Sequence, residues 1–186
     1  MSTEPGPQSV KGPRINKGLV IVNTGNGKGK TTAAMGVLFR AWGRDMKVQM
    51  LQFIKHTTAN FGEQRAAQKI GVPVRAMGDG FTWRSKDLDQ SADLARALWD
   101  DAKEIIATGD NDLIILDEFT YPLHYGWIEV QEVIETLSKR SEMLHIIITG
   151  RHAPQELIDF ADLVTEMNVI KHPYSEGIKA QPGIEF

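Results

Sequence analysis

The sequence predicts an α/β fold, with a mostly parallel sheet of about six strands and helices on both faces. Three observations lead there. Short apolar runs rich in β-branched residues recur along the chain, stretches of 3.6-residue periodicity separate them, and the first run ends in a glycine-rich loop that opens a helix.

Residues 1–16 read as a flexible tail, because Pro5, Gly6, Pro7, Gly12 and Pro13 interrupt any helix or central strand. Residues 17–186 read as a single domain. The first strand is Leu19–Val22, followed by the loop and a helix whose stripe is Ala34, Val37, Leu38 and Ala41. Val48–Phe53 and Val72–Met77 are the next strands. A helix starting near Asp87 carries Leu94, Leu98, Ala102 and Ile105 on one face. Leu113–Leu116 follows, then a helix with Val130, Val133, Ile134 and Leu137, then Leu144–Ile148 and Leu163–Val164. The stretch from Lys171 to Gln181 has neither period and is expected to wrap the surface, as a lid or as plain closure. In sheets of this kind ligands bind beyond the carboxyl ends of the strands, so the residues just after each strand are where chemistry is sought.

With 21 basic and 24 acidic residues interspersed, the net charge of -3 offers no electrostatic footprint for nucleic acid or an anionic membrane. No window is apolar for long enough to span a bilayer. The absence of cysteine excludes disulfides, thiolate metal sites and a cysteine nucleophile, and fits a reducing compartment, so a cytoplasmic location is expected. The five histidines, His56, His124, His145, His152 and His172, have no paired spacing that suggests structural zinc.

The strongest local signal is Asn23-Thr24-Gly25-Asn26-Gly27-Lys28-Gly29-Lys30-Thr31-Thr32 between the first strand and its helix. Gly25, Gly27 and Gly29 permit positive φ and keep side chains away from backbone N–H groups, and the helix N-terminus adds a favourable dipole. Lys30 is placed to reach terminal phosphates and the Thr31 hydroxyl to ligate Mg²⁺. The usual pattern has glycine where this chain has Thr24, so Gly25 is expected to supply the turn. Strand, loop, Lys-Thr and helix together predict a P-loop, RecA-like domain with a phosphate cradle formed by Gly25, Asn26, Gly27, Lys28, Gly29, Lys30, Thr31 and Thr32. Asp117 and Glu118 end an apolar strand, where an acid holds Mg²⁺ directly or through water; the sequence leaves open which is the closer ligand.

Arg151, after the fifth strand, is positioned either to grip a triphosphate or to sit in a surface turn; Lys55 and His56 after the second share that ambiguity. Phe81 and Trp83, in the glycine-bounded loop Met77-Gly78-Asp79-Gly80-Phe81-Thr82-Trp83-Arg84, either bind a ligand or pin the loop to the core. The loop and acids alone also suit a γ-phosphate phosphotransferase or ATPase, or a non-catalytic carrier.

Six segments in order resemble the P-loop class of ATP:corrinoid adenosyltransferases. They are TGNGKGKTTAA from Thr24, VQMLQFIK from Val48, MGDGFTW from Met77, LIILDEFTYPL from Leu113, ITGRHAPQELIDFADLVTEM from Ile148 and VIKHPYSEGIKAQPGIEF from Val169. The resemblance implies transfer of the 5′-deoxyadenosyl group of ATP to Co(I) of a reduced corrinoid, with triphosphate released. It implies that Thr24 is a family trait, and that ATP lies in the reverse sense to most P-loop enzymes, with its C5′ facing the corrinoid. Thr31 and Glu118 are implied as Mg²⁺ ligands. Phe81 and Trp83 match the aromatics that cover the lower face of the corrin in this family and exclude its axial ligand. Lys30 and Arg151 are then expected to steady the departing triphosphate. The implied partners are an electron donor such as a reduced flavoprotein and a second copy of the chain in a homodimer. Relatives often carry a longer helical N-terminal extension than Met1–Asn16.

Overall fold

The computed structural model describes residues 15–54, 62–77 and 88–185. The chain alternates strand and helix: β1 (Val20–Thr24), α1 (Lys30–Trp42), β2 (Val48–Gln52), α2 (Gly62–Lys69), β3 (Val74–Ala76), α3 (Leu88–Thr108), β4 (Leu113–Asp117), α4 (Thr120–His124), α5 (Val130–Ser138), β5 (His145–Thr149), α6 (Gln155–Phe160) and β6 (Leu163–Glu166). All six strands are parallel, in the order β3-β2-β4-β5-β1-β6. The expected sheet is therefore present. β1 runs two residues further than its apolar run, to Thr24, because ladder pairing with β6 carries Asn23 and Thr24 along although neither is apolar.

The two-residue period of the strands divides the core between the faces. Leu113 and Ile115 of β4, Ile147 of β5 and Val48 and Met50 of β2 pack against Ala34, Met35, Leu38 and Ala41 of α1 and Ala67 of α2. Ile114 and Leu116, with Ile146, Ile148, Val20, Val22 and Leu51, face Leu98, Trp99 and Ala102 of α3, Leu123 of α4, Val133 and Leu137 of α5 and Leu157 of α6. Every residue of β4 is buried, as its uninterrupted apolar run requires for a strand covered on both sides.

One aromatic column bears directly on the site. Phe119, which follows the Asp117-Glu118 pair, is fully buried, with ring centroids 4.6 Å from Phe53 and 5.0 Å from Trp99. The Trp99 indole N–H donates to Glu132 at 2.9 Å, satisfying its polar edge. The exit of β4 is thereby anchored to the core just where its two carboxylates emerge. Beyond β6 the described residues form one 3₁₀ turn, Pro173–Glu176, and otherwise no regular structure, in keeping with their lack of periodicity.

Candidate active site

The exits of β4, β5 and β1 are neighbours in the sheet, and they bring together the loop, the acidic pair and Arg151. The loop closes on Gly29, which caps α1 with φ 108°, and the first intrahelical bond runs from the Ala33 amide to Gly29 O at 2.7 Å. The amides of Lys30, Thr31 and Thr32 therefore have no acceptor within the helix and form the positive end of its dipole.

Gly25 does supply the turn beside Thr24, at φ 92°. Thr24 is nearly buried, and its hydroxyl accepts the Ala153 amide at 3.3 Å while its carbonyl accepts the Met167 amide at 2.9 Å. A hydroxyl at this position ties β1 to the β5 exit, which glycine could not do. Gly25 and Gly27 are required for a further reason: a Cβ on either would lie 2.5 Å and 2.7 Å, respectively, from the Met167 carbonyl oxygen. The loop thus rests on the strand end of β6, and the Gly27 amide donates to Met167 O at 2.6 Å.

Lys30 is nearly buried, and its ammonium donates to Gly25 O at 2.9 Å and Gly27 O at 2.6 Å. Burial lowers its pKa from the usual lysine value; Glu118 and Asp117 oppose that shift, while Arg151 and Lys28 add to it. Lys28 instead points away, pairing with Glu185 at 2.5 Å on the C-terminal segment. Asn26 and Thr32 are exposed, and Thr32 lines a shallow cleft between α1, α2 and the segment Gly183 to Glu185.

Asp117 and Glu118 are close in sequence but differently engaged. Asp117 is fully buried; its Oδ1 accepts the Thr31 hydroxyl at 2.8 Å and the Thr149 hydroxyl at 2.7 Å, and its Oδ2 accepts Gln52 Nε2 at 3.1 Å. Gln52, fully buried, accepts in turn from Gln64 at 2.8 Å. Glu118 is half-buried in a left-handed conformation, φ 59°, held by its amide donating to Thr149 Oγ1 at 3.0 Å. A positive φ at a non-glycine residue is strain of the kind kept at functional sites. Tyr121 on α4 has its pKa raised by burial first and by the charge of Glu118 second.

Arg151 is exposed at the same edge and makes no ion pair among the described residues; its charge reaches both Lys30 and Tyr121. Phe81 and Trp83, with Lys55 and His56, lie outside the described residues. Residue-type reasoning missed Gln52, Thr120, Thr149 and the Met167 carbonyl. The first and third had a signal, since each is a polar residue closing an apolar strand at its ligand edge.

A family model described as ATP:corrinoid adenosyltransferase BtuR/CobO/CobP matches residues 16–186. The chain belongs to that family. It is 44% identical over 174 residues to a corrinoid adenosyltransferase of Sinorhizobium sp, covering 91% of this chain and 81% of that one. It is 40% identical over 170 residues to the corrinoid adenosyltransferase of Escherichia coli K12, covering 91% and 86% of the two chains. The crystal structure of flagellar accessory protein FlaH from Methanocaldococcus jannaschii shares the fold, with TM-score 0.56 at 15% identity over 82% of this chain and 72% of that one. For an ATP:corrinoid adenosyltransferase the arrangement is chemically apt: the α1 N-terminus, Lys30 and Arg151 lie at one edge of the sheet, and no nucleophile–base pair is needed. Among the described residues no helix is long and apolar enough to cross a membrane.

Proposed function

We propose that this chain transfers the 5′-deoxyadenosyl group of ATP to the Co(I) centre of a reduced corrinoid and releases inorganic triphosphate. The observation that carries the proposal is the convergence of the α1 N-terminus, Lys30 and Arg151 on one edge of the sheet, in a chain of this family.

The loop amides and the free end of α1 hold the triphosphate. Lys30 exchanges its two loop carbonyls for phosphate oxygens, recovering a full anionic partner for a charge that burial disfavours. The residues suit Mg²⁺: two carboxylates and a hydroxyl are hard oxygen donors, and Mg²⁺ takes its remaining ligands from phosphate and water. Asp117 accepts the Thr31 proton, which turns the Thr31 lone pairs outward, and with three donors already on its oxygens it acts as the orienting group. Thr31 and Glu118 are the residues that would hold the ion. When bound, it would neutralise charge on the triphosphate.

In the reaction a Co–C bond forms as the C5′–O bond breaks. The cobalt electron pair enters the new bond, and the C–O pair departs with triphosphate. Co(I) needs no general base to be nucleophilic, so the protein's work is alignment and stabilisation of the leaving group by Lys30 and Arg151. Phe81 and Trp83 are assigned, on the family motif in the sequence, to the lower face of the macrocycle. Removing a lower axial donor there eases reduction of Co(II) to Co(I). ATP runs in the reverse sense to most P-loop enzymes, with C5′ toward that face. The chain acts as a homodimer in the cytoplasm and receives electrons from a donor such as a reduced flavoprotein.

Anaerobic mixing of chemically reduced cob(I)alamin, Mg²⁺ and ATP with the protein tests this. Formation of a light-sensitive cobalt–carbon bond, followed in the visible spectrum, is the expected result. An unchanged Co(I) spectrum with nucleotide bound would refute it.

A further inference from the structure

The turn that carries Arg151 is fixed from both sides, by α4 on one flank and by Thr24 at the end of β1 on the other. Gly150 lies at φ 138°, and a Cβ there would fall 2.1 Å from Thr120 Oγ1, so this hydroxyl sits directly against the turn. Thr120 is fully buried, and its hydroxyl donates to the Arg151 carbonyl at 2.5 Å. One helical turn further along α4, the His124 ring stacks on His152 with centroids 4.5 Å apart, and His152 is itself left-handed at φ 57°. On the other flank the Ala153 amide is held by the Thr24 hydroxyl. Two residues with positive φ therefore bracket Arg151, and its backbone is held from α4 and from β1 while its guanidinium carries no ion pair among the described residues.

Such over-determination has a physical purpose. An exposed arginine has several rotatable bonds, and its usefulness toward a developing charge depends on where its Cα is held. We propose that Thr120 is a positioning residue for Arg151, its buried hydroxyl holding the Arg151 carbonyl so that the guanidinium meets the leaving triphosphate. This rests on the assignment of Arg151 to the leaving group made above. Thr120 touches neither nucleotide nor corrinoid in this account; it acts only through the turn.

A double-mutant cycle with Thr120→Val and Arg151→Ala tests it, with Co–C bond formation as the assay. Arg151→Ala is expected to lower kcat roughly a hundredfold, as loss of one charge-stabilising donor does. Thr120→Val, nearly isosteric, is expected to lower kcat about tenfold with KM for ATP changed less than about twofold, the signature of an interaction realised in the transition state. In the Arg151→Ala background Thr120→Val should cause no further loss, and in the otherwise wild-type chain Thr120→Ser, which keeps the hydroxyl, should retain the wild-type rate. A structural role alone would lower the rate by the same factor in both backgrounds, and that additivity overturns the inference while leaving Arg151 in place. Full activity of Arg151→Ala overturns the assignment of Arg151, and the inference with it. Should Thr120→Val not fold, shown by loss of the cooperative thermal transition, Thr120→Ala replaces it in the same cycle, with Thr120→Ser as its control.

Discussion

Replacing Asp117 by asparagine removes one charge and turns one acceptor into a donor, at a fully buried position where three donors already point inward from Thr31, Thr149 and Gln52. If the new NH₂ takes the place of Oδ2 it meets Gln52 Nε2. Gln52 cannot simply turn over, because its Oε1 accepts the Gln64 amide at 2.8 Å. If it takes the place of Oδ1 it faces two hydroxyls that must both rotate away. One buried donor is left unmet in either arrangement, at about 1–3 kcal/mol, and the remaining bonds lose their charge assistance. Relief of burying a charge offsets part of this, for a net loss of about 3 kcal/mol. For a chain of this length that lowers Tm by roughly 6–12 °C. Thermal melts of the wild type and Asp117→Asn read the effect directly, and a Mg²⁺ titration of ATP binding reads the second consequence, a weaker metal dependence once Thr31 is no longer oriented. A Tm within about 2 °C of wild type, with the same Mg²⁺ dependence, would refute the network as drawn.

Three further outcomes follow from the same geometry. Gly27→Ala should cost most of the ATP binding, because its methyl group would lie 2.7 Å from a backbone carbonyl that cannot swing aside; calorimetric binding equal to wild type would show that the loop does not rest on Met167. The lowered pKa of Lys30, caused first by burial, means that its charge is lost at a lower pH than that of an exposed lysine. ATP affinity should therefore fall as pH rises through that lowered value, before the usual lysine value of 10.5 is reached, and a Lys30→Arg variant should flatten the profile. Asp162 is desolvated, which alone would raise its pKa, yet bonds from Lys17 and from the Val20 amide at 2.9 Å hold the carboxyl below its usual value of 3.8. The sign follows: its contribution is present above the unfolded pKa and is lost as pH falls through the lower folded value, so Asp162→Asn should narrow the stability gap between neutral and strongly acid solution, measured by denaturant melts at the two pH values.

Much of this was legible in the residues. Continuous apolar runs such as Leu113–Leu116 require strands covered on both faces, and the ordered motifs around Lys30, Asp117 and Arg151 carried the family, which the comparisons bear out. The short helices were not legible. α2, α4 and α6 span eight, five and six residues, too few for a 3.6 period to declare itself, and Pro122 within α4 reads as a helix breaker. The different engagement of Asp117 and Glu118 was also hidden, because it depends on hydroxyls 86 and 32 residues away in sequence. Lys28 shows the same limit from the other side: its place in the loop suggests a phosphate contact, while its side chain pairs with Glu185, 157 residues on.

The leaving group decides the central claim. With reduced corrinoid and Mg-ATP in a single turnover, separation of the phosphate products by anion-exchange chromatography should yield one intact inorganic triphosphate for each cobalt–carbon bond formed. ADP and orthophosphate in its place would mean that cleavage occurs at the γ-phosphate, and that the chain is a phosphate-transfer enzyme rather than one that alkylates cobalt.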